Sequence, residues 1–309
     1  MNSGEARAFG ILALTGAAKR RNDGEATPVL DCDLLLAHVL RSERSTVIAH
    51  PERELDGAEE RAFVECIRSR ETGMPVAYIT GVKEFWSLPF RVTADVLIPK
   101  PDTETLVERA VAAIDASDAS EAIAAIDAIA WTGGTRYARV LDVCTGSGCV
   151  AIALKREAPH VDMTATDISD GALAVARDNA ERLLGPDHDI RFLEGDLRGG
   201  LPPPRAGGGY DLVVSNPPYV PSGIARDLLL DGRGEPLLAL DGGADGLDLV
   251  RALAAAALPV LLPGGRILVE TGEYNAGAAA GYLSSIGFAD IVVHRDLSGQ
   301  ERVVEGSRP

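Results

Sequence analysis

The amino-acid sequence predicts an α/β fold: a mostly parallel, doubly wound sheet that ends in an antiparallel hairpin and follows a small N-terminal helical domain. From Arg139 onward, strand candidates alternate with helical stretches, which is the pattern of parallel sheets. The last two strand candidates are joined by residues 296–300, too few for a crossover helix, so we expect them to pair antiparallel. Residues 1–75 carry apolar residues at helical spacing.

The composition is that of an ordinary soluble protein. The chain has 309 residues, of which 46% are hydrophobic and 25% charged, and its net charge is −16. This acidic balance argues against a protein that grips duplex DNA, which usually needs a basic surface. The sequence has no long apolar run and no signal-peptide pattern at its start, so we expect a cytoplasmic location. The scattered cysteines and histidines predict neither disulfides nor a metal site.

The chain divides into three segments. Residues 1–75 are expected to form a helical domain, with helices over residues 29–40 and 59–70. This region has no candidate catalytic residues, which suggests a recognition or support role. Residues 76–100 are rich in β-forming residues and contain Gly81 and Pro89, which predicts a β-hairpin linker. Residues 101–309 contain the predicted sheet.

The elements of the third segment follow in order. A helix begins near Asp102 or Thr103, either of which can cap it. Residues 115–137, rich in Ala, Asp and Ser, predict an exposed insertion with one short helix over residues 121–130. The strand candidates are 139–144, 162–167, 190–196, 210–216, 265–271, 288–295 and 301–305. The helices between them are expected at 149–157, 172–184 and 247–262.

Glycines and acids follow the first strands of this sheet, at the edge where open α/β folds bind ligands. Gly146 and Gly148 lie in the turn after the first strand, where they let the backbone approach a ligand closely. Asp167 ends the second strand, where a carboxylate can bind two ribose hydroxyls, and Asp196 and Leu197 follow the third, near an adenine. Each acid alone is more often a cap or turn residue, but together they predict a nucleoside-cofactor site. Its expected residues are Asp142, Cys144, Thr145, Gly146, Ser147, Gly148, Asp167, Ile168, Asp196, Leu197 and Asn216.

The fourth strand runs directly into Asn216-Pro217-Pro218-Tyr219, called here the NPPY motif. Neither proline has an N–H to donate to a sheet, and the residue before each proline is pushed toward extended geometry. We therefore expect a stiff rim with outward carbonyls that accept hydrogen bonds from a planar –NH2 group, while Tyr219 covers its face. For the tetrapeptide alone, a proline-rich turn after a buried strand is the alternative.

Two motifs resemble those of a known enzyme class. The loop Asp142-x-x-Thr-Gly-Ser-Gly resembles the S-adenosylmethionine loop of class I methyltransferases, and the NPPY motif is similar to that of enzymes that methylate planar nitrogens. Three groups share it: adenine-specific DNA methyltransferases, a glutamine methyltransferase of a large-subunit ribosomal protein, and the glutamine methyltransferase of class 1 peptide chain release factors. Residues 85–90, 97–104, 235–248 and 300–306 resemble the release-factor family in particular.

The resemblance implies a Rossmann-like class I methyltransferase fold with S-adenosylmethionine as the methyl donor. The implied substrate is the glutamine of the Gly-Gly-Gln motif in class 1 release factors, held by the helical domain of residues 1–75. The implied catalytic residues are Asn216, Pro217, Pro218 and Tyr219. A metal, DNA and a membrane are not expected as partners, and we expect a monomer.

The chain departs from the family pattern at a few places. Lys100 replaces the usual Arg, Leu197 stands where Trp is frequent, Asn275 lies near a common Gln, and the insertion is longer than usual. None of these changes removes a group that the reaction needs. Three alternatives remain open: the ribosomal-protein glutamine methyltransferase, an adenine-specific DNA methyltransferase, and a non-catalytic nucleotide-binding module.

Overall fold

The computed structural model describes residues 1–21, 24, 26–127, 137–205, 207–229 and 234–309. The chain separates into two compact units, one of Met1–Val82 with Arg226–Gly234 and one of Lys83–Ala225 with Glu235–Pro309. None of the helices within the described ranges is long and apolar enough to cross a membrane.

The first unit is helical, as predicted. Its core contains Leu35 and Phe63, both fully buried. The buried carboxylate of Asp33 pairs with Arg7 and Arg44, because a charge taken out of water needs a partner. The helices are α1 (Ser3–Arg21), α2 (Pro28–Val39), α3 (Arg44–Ala49), α4 (Gly57–Glu71) and α5 (Val76–Thr80).

The hairpin predicted over residues 76–100 begins later than expected. Residues 76–80 form α5 instead of a strand, although their side chains favour β-structure. The flanking residues explain this: Pro75 presets the backbone before the helix, and Gly81 ends it in the left-handed conformation at a φ of 74°. The hairpin consists of β1 (Val82–Phe85) and β2 (Leu88–Arg91), which pair as a two-stranded sheet.

The second unit contains a seven-stranded sheet. Its strands are β3 (Arg139–Val143), β4 (Asp162–Asp167), β5 (Arg191–Glu194), β6 (Tyr210–Ser215), β7 (Leu261–Glu270), β8 (Ala289–Arg295) and β9 (Glu301–Ser307). Their order across the sheet is β5-β4-β3-β6-β7-β9-β8. The pairs among β3 to β7 are parallel, and β9 pairs antiparallel with both β7 and β8. The predicted sheet with its antiparallel C-terminal hairpin is confirmed, and each predicted strand is present.

Helices pack on both faces of this sheet. The helices in this part of the chain are α6 (Glu104–Asp127), α7 (Cys149–Glu157), α8 (Asp170–Leu184), α9 (Ser222–Leu229), α10 (Asp248–Val260) and α11 (Ala276–Ser285). Successive residues of a strand point to opposite faces. Val140 and Leu212 therefore join the apolar cluster that includes α6 and α7, while Leu141 and Val213 join the one that includes α10 and α11. The sequence did not predict α9 and α11.

The insertion is organised differently from the prediction. The first helix after the linker does not stop near residue 115 but continues as α6 to Asp127. Residues 115–120 contain neither Gly nor Pro, so nothing in this stretch breaks a helix. The predicted short helix over residues 121–130 is thus the end of α6 as far as Asp127, and its last three residues lie outside the described ranges.

Candidate active site

A cavity of about 680 Å³ opens at the carboxyl ends of the parallel strands of the second unit. Its walls come from the turns after β3, β4, β5 and β6 and from the segments around Pro99 and Leu238. Ligands of open α/β sheets bind at such a place. It brings together most of the predicted site residues: Asp142, Cys144, Thr145, Gly146, Ser147, Asp167, Ile168, Asp196, Leu197, Asn216 and Pro218. Gly148, Pro217 and Tyr219 adjoin lining residues in the chain but are not on the wall.

Asp142, near the end of β3, holds the glycine loop together. Its Oδ2 atom accepts hydrogen bonds from the Thr145 hydroxyl at 2.6 Å and from the Ala151 backbone N–H at 3.2 Å. Burial raises the pKa of this carboxyl to about 7, and the two hydrogen bonds oppose the shift. Asp142 thus joins the start of the loop to the first turn of α7.

Two glycines of this loop have left-handed backbones. Gly148, at the N-cap of α7, has a φ of 79°, and Gly146 has a φ of 55°. Their surroundings differ. A Cβ added to Gly148 would lie 3.0 Å from Ile152 and 3.1 Å from Ala176, whereas one added to Gly146 would meet no atom within 4 Å. Gly148 is therefore required by both conformation and space, and Gly146 by conformation alone.

We expect Gly148→Ala to lower the free energy of unfolding by about 2–3 kcal/mol. Alanine costs roughly 1–2 kcal/mol in the left-handed region, and its Cβ would also press on α7 and α8. Gly146→Ala is the matched control, because it has the same type of backbone but open space, and we expect a loss of about 1 kcal/mol. Urea unfolding of both variants measures the difference. Equal losses would show that crowding at Gly148 contributes nothing.

Asp167, the last residue of β4, faces the glycine loop. Its Oδ2 atom accepts the Gly146 backbone N–H at 2.9 Å, and its Oδ1 atom accepts the Ser169 backbone N–H at 3.0 Å. Burial raises the pKa of the Asp167 carboxyl. An ionised carboxylate offers about four acceptor positions. Acceptor capacity therefore remains for a hydroxyl-bearing ligand in the cavity.

The neighbouring part of the cavity combines acids with apolar side chains. Asp196 is exposed and accepts the Arg198 backbone N–H at 2.9 Å, which caps a short 3-10 helix. Leu197 is 8% exposed and Ile168 is 48% exposed, and both line the cavity. Carboxylates next to an apolar wall suit a nucleoside, whose sugar donates hydrogen bonds and whose base is flat and weakly polar.

The Asn216 side chain has a defined orientation. Its Nδ2 atom donates to the Thr103 hydroxyl oxygen at 3.0 Å. The Thr103 hydroxyl also lies near the carboxyl group of Glu270 and lowers its pKa. Thr103 therefore accepts the Asn216 N–H and keeps its own proton for another acceptor. The oxygen Oδ1 is the atom that Asn216 presents to a ligand.

The backbone of the NPPY motif is held at its C-terminal end. The Tyr219 carbonyl accepts hydrogen bonds from the Asn275 side-chain amide at 3.2 Å and from the Tyr274 hydroxyl at 3.3 Å. A Cβ on Gly246 would overlap this carbonyl, so the loop containing Gly246 packs directly on the motif. Asn275 thus has a defined role in fixing the motif.

Two residues that the sequence did not indicate as site residues connect the ends of the motif. Thr103, interpreted from sequence only as a possible helix cap, accepts a hydrogen bond from Asn216 and lies near Glu270, whose pKa it lowers. Glu270 also accepts the Tyr219 hydroxyl at 3.3 Å. It is fully buried and is the last residue of β7. An acid at the end of an apolar strand was visible in the sequence, as it was for Asp167.

The fold and the cavity define the class of protein: this chain is a methyltransferase. Residues 127–229 match the family model described as a methyltransferase small domain, and residues 13–81 match the PrmC N-terminal domain. Among solved structures, the hMettl16 catalytic domain has a TM-score of 0.53 at 14% identity, over 75% of this chain and 79% of that one. This likeness supports the fold class alone.

The particular family follows from more similar relatives, each named release factor glutamine methyltransferase. The relative from Bordetella pertussis is 39% identical over 90% of this chain and 94% of its own length. Those from Rhodospirillum rubrum and Deinococcus radiodurans are 37% and 36% identical, over 97% and 96% of this chain and 85% and 97% of their own lengths. The chain belongs to the release factor glutamine methyltransferase family, which confirms the resemblance seen in its motifs.

Proposed function

We propose that this protein transfers a methyl group from S-adenosylmethionine to the side-chain amide nitrogen of the glutamine in the Gly-Gly-Gln motif of class 1 peptide chain release factors. The observation that carries the proposal is the orientation of Asn216. Its Nδ2 atom donates a hydrogen bond to the Thr103 hydroxyl at 3.0 Å, which leaves Oδ1 to accept a hydrogen bond from a planar –NH2 group. The names of the relatives point to the same substrate.

The parts of the chain have separate roles in this proposal. The helical domain of residues 1–75 recognises the release factor. The hairpin segment of residues 76–100 connects it to residues 101–309, which bind the cofactor and carry out methyl transfer. The protein acts in the cytoplasm as a monomer, with neither DNA nor a membrane as a partner. The net charge of −16 supports a protein substrate over DNA.

The cavity has the groups that S-adenosylmethionine requires. Asp167 has acceptor capacity for ribose hydroxyls, and Ile168 and Leu197 form an apolar wall for adenine next to Asp196. The open space above Gly146 leaves room for the ligand against the loop. The other residues in the proposed cofactor set are Asp142, Cys144, Thr145, Ser147, Gly148 and Asn216. When bound, the cofactor supplies an electrophilic methyl group on a positively charged sulfur.

The chain's contribution to the reaction is positioning. An amide nitrogen is a poor nucleophile because its lone pair is delocalised, and it needs exact alignment to react. Asn216 Oδ1 and the Pro217 backbone carbonyl accept the two N–H groups of the glutamine amide, while Pro218 stiffens the rim and Tyr219 packs against the amide plane. Holding reactants in line can supply roughly 7–11 kcal/mol. Carbonyl oxygens also stabilise the positive charge that develops on the nitrogen.

Mass spectrometry of a purified class 1 release factor, incubated with the protein and S-adenosylmethionine, tests the proposal. We expect the peptide with the Gly-Gly-Gln motif to gain one methyl group on its glutamine. A release factor with that glutamine replaced by alanine is the control and should gain none. Methylation of a large-subunit ribosomal protein or of DNA adenine, with the release factor unmodified, would refute the proposal. Cofactor binding without any methylated product would favour the non-catalytic alternative.

A further inference from the structure

Glu270 connects both ends of the NPPY motif from inside the protein. The side chain is fully buried at the end of β7. It accepts the Tyr219 hydroxyl at 3.3 Å, and the nearby Thr103 hydroxyl, which accepts from Asn216 at 3.0 Å, lowers the pKa of its carboxyl. One carboxyl group therefore contacts Tyr219 directly and lies near the residue that holds Asn216.

The direction of these hydrogen bonds depends on the charge of Glu270. An ionised carboxylate has only acceptors, so the Tyr219 hydroxyl must donate to it, and the neighbouring Thr103 hydroxyl can direct its proton the same way while its oxygen accepts from Asn216. A protonated Glu270 carboxyl has an O–H group of its own. This group can donate to the Thr103 or Tyr219 oxygen, and the hydrogen bonds that these hydroxyls make would then rearrange. The Oε2 atom of Glu270 has no hydrogen-bond partner among the described residues.

We propose that Glu270, in its ionised form, is a positioning residue that holds Asn216 Oδ1 and the Tyr219 ring in place for the glutamine amide. This inference rests on the proposed function, since it assigns a role in the same site. Glu270 does not line the cavity, and it acts through Thr103 and Tyr219.

The charges around Glu270 set the pH at which it ionises. Burial raises its pKa to about 7, while the Thr103 hydroxyl, the positive charge of Arg302 and the Tyr219 hydroxyl oppose this shift and Asp102 adds to it. The groups that face Glu270 are Tyr219 after β6, Arg302 on β9, Asp102 before α6 and Cys149 at the start of α7.

Arg302 is itself held by Asp102 at 3.3 Å and by Asp296 at 3.1 Å. Burial, together with the charge of Glu270, raises the pKa of Tyr219 well above its usual value, so Tyr219 remains a hydrogen-bond donor. Glu270 is thus the group of this network that changes its charge near neutral pH.

The test compares the pH dependence of kcat in the wild-type enzyme and in Glu270→Gln, with the release factor as substrate. In the wild type we expect kcat to fall below about pH 7, as Glu270 takes up a proton. Glu270→Gln keeps the shape of the side chain but cannot ionise. We therefore expect its kcat to be about tenfold to 100-fold lower than that of the wild type at about pH 8. We also expect it to lack the acid limb, which is the fall of kcat at low pH. Its dissociation constant for S-adenosylmethionine should stay within about twofold of the wild type.

Glu305→Gln is the matched control, because it is the same substitution at a half-buried carboxyl of the same sheet, which pairs with Arg266 and His294 and does not line the cavity. The fall of kcat at low pH should persist in that variant. A fall at low pH that persists in Glu270→Gln, or that disappears only in Glu305→Gln, overturns the inference.

If Glu270→Gln does not fold, Thr103→Val decides the question, since it removes the hydroxyl between Glu270 and Asn216. We expect about a tenfold lower kcat with unchanged affinity for S-adenosylmethionine, and an unchanged kcat refutes the inference. Failure of the proposed function looks different: the wild-type enzyme itself would then leave the release factor unmodified at every pH.

Discussion

Asn216→Ala is expected to lower kcat for release-factor methylation by on the order of 10²–10³-fold, the size of effect seen when one preorganised hydrogen-bonding group of an active site is removed. The variant loses Oδ1, the acceptor that aligns the glutamine amide. The hydrogen bond from Tyr219 to Glu270 does not involve Asn216 and is expected to survive. Asn216 is half-buried and loses one hydrogen bond, so the free energy of unfolding should fall by only about 1 kcal/mol.

Single-turnover methylation with labelled cofactor, together with urea unfolding, measures both quantities. Asn275→Ala is the comparison, because it is the same substitution in the same site but removes only a donor to the Tyr219 carbonyl. We expect that variant to lose about tenfold in kcat, since the motif keeps the hydrogen bond from Tyr274. Wild-type turnover in Asn216→Ala would eliminate the acceptor role of this side chain.

The second large effect is expected from Asp167→Ala, which should weaken the binding of S-adenosylmethionine by on the order of 10²-fold. A hydrogen bond to a charged group contributes roughly 1.5–3 kcal/mol, and about 1.4 kcal/mol corresponds to a factor of ten in affinity. The substitution also frees the Gly146 and Ser169 N–H groups that Asp167 holds. The affinity loss therefore combines a lost ligand contact with a looser loop.

Calorimetric titration of S-adenosylmethionine into each variant measures this effect. Asp196→Ala is the control, because Asp196 is also an acid of the proposed cofactor set but is exposed, where water competes for its hydrogen bonds. We expect its affinity to fall by no more than about tenfold. Asp167→Asn retains one side-chain oxygen, so its affinity for S-adenosylmethionine should lie between those of Asp167→Ala and Asp196→Ala. Equal affinity in Asp167→Ala and the wild type would contradict the ribose assignment.

Much of the catalytic unit could be predicted because its signals are local. Some of the parallel strands end at a polar residue, as β4 does at Asp167, or lead directly into one, as β6 does into Asn216. Parallel strands place such ends at one edge of the sheet, so the position of the cavity followed from the strand pattern. The antiparallel hairpin followed from the short connection between β8 and β9.

Other features depend on contacts that sequence distance hides. Thr103, Asn216 and Glu270 lie on three separate elements, and nothing in the sequence indicates that they lie close together. The role of Asn275 likewise depends on the Tyr219 carbonyl, 56 positions away in the chain. In α5, the β-branched residues predicted a strand, but the flanking Pro75 and Gly81 determined the outcome.

The buried carboxyl groups of Asp142 and Glu270 link the folding equilibrium to proton uptake. Their pKa values rise from 3.8 and 4.5 to about 7 on folding. At a pH between the unfolded-state and folded-state pKa values, the two carboxyls keep their protons in the native state but have released them in the unfolded chain. The free energy of unfolding therefore decreases as the pH rises through this range, and it stays lower at higher pH. The ionised form of Glu270, which is the form proposed to position the NPPY motif, is thus the form that stabilises the fold less. An uncharged residue of the same shape at this position would remove this pH dependence of stability together with the proposed role of the carboxylate.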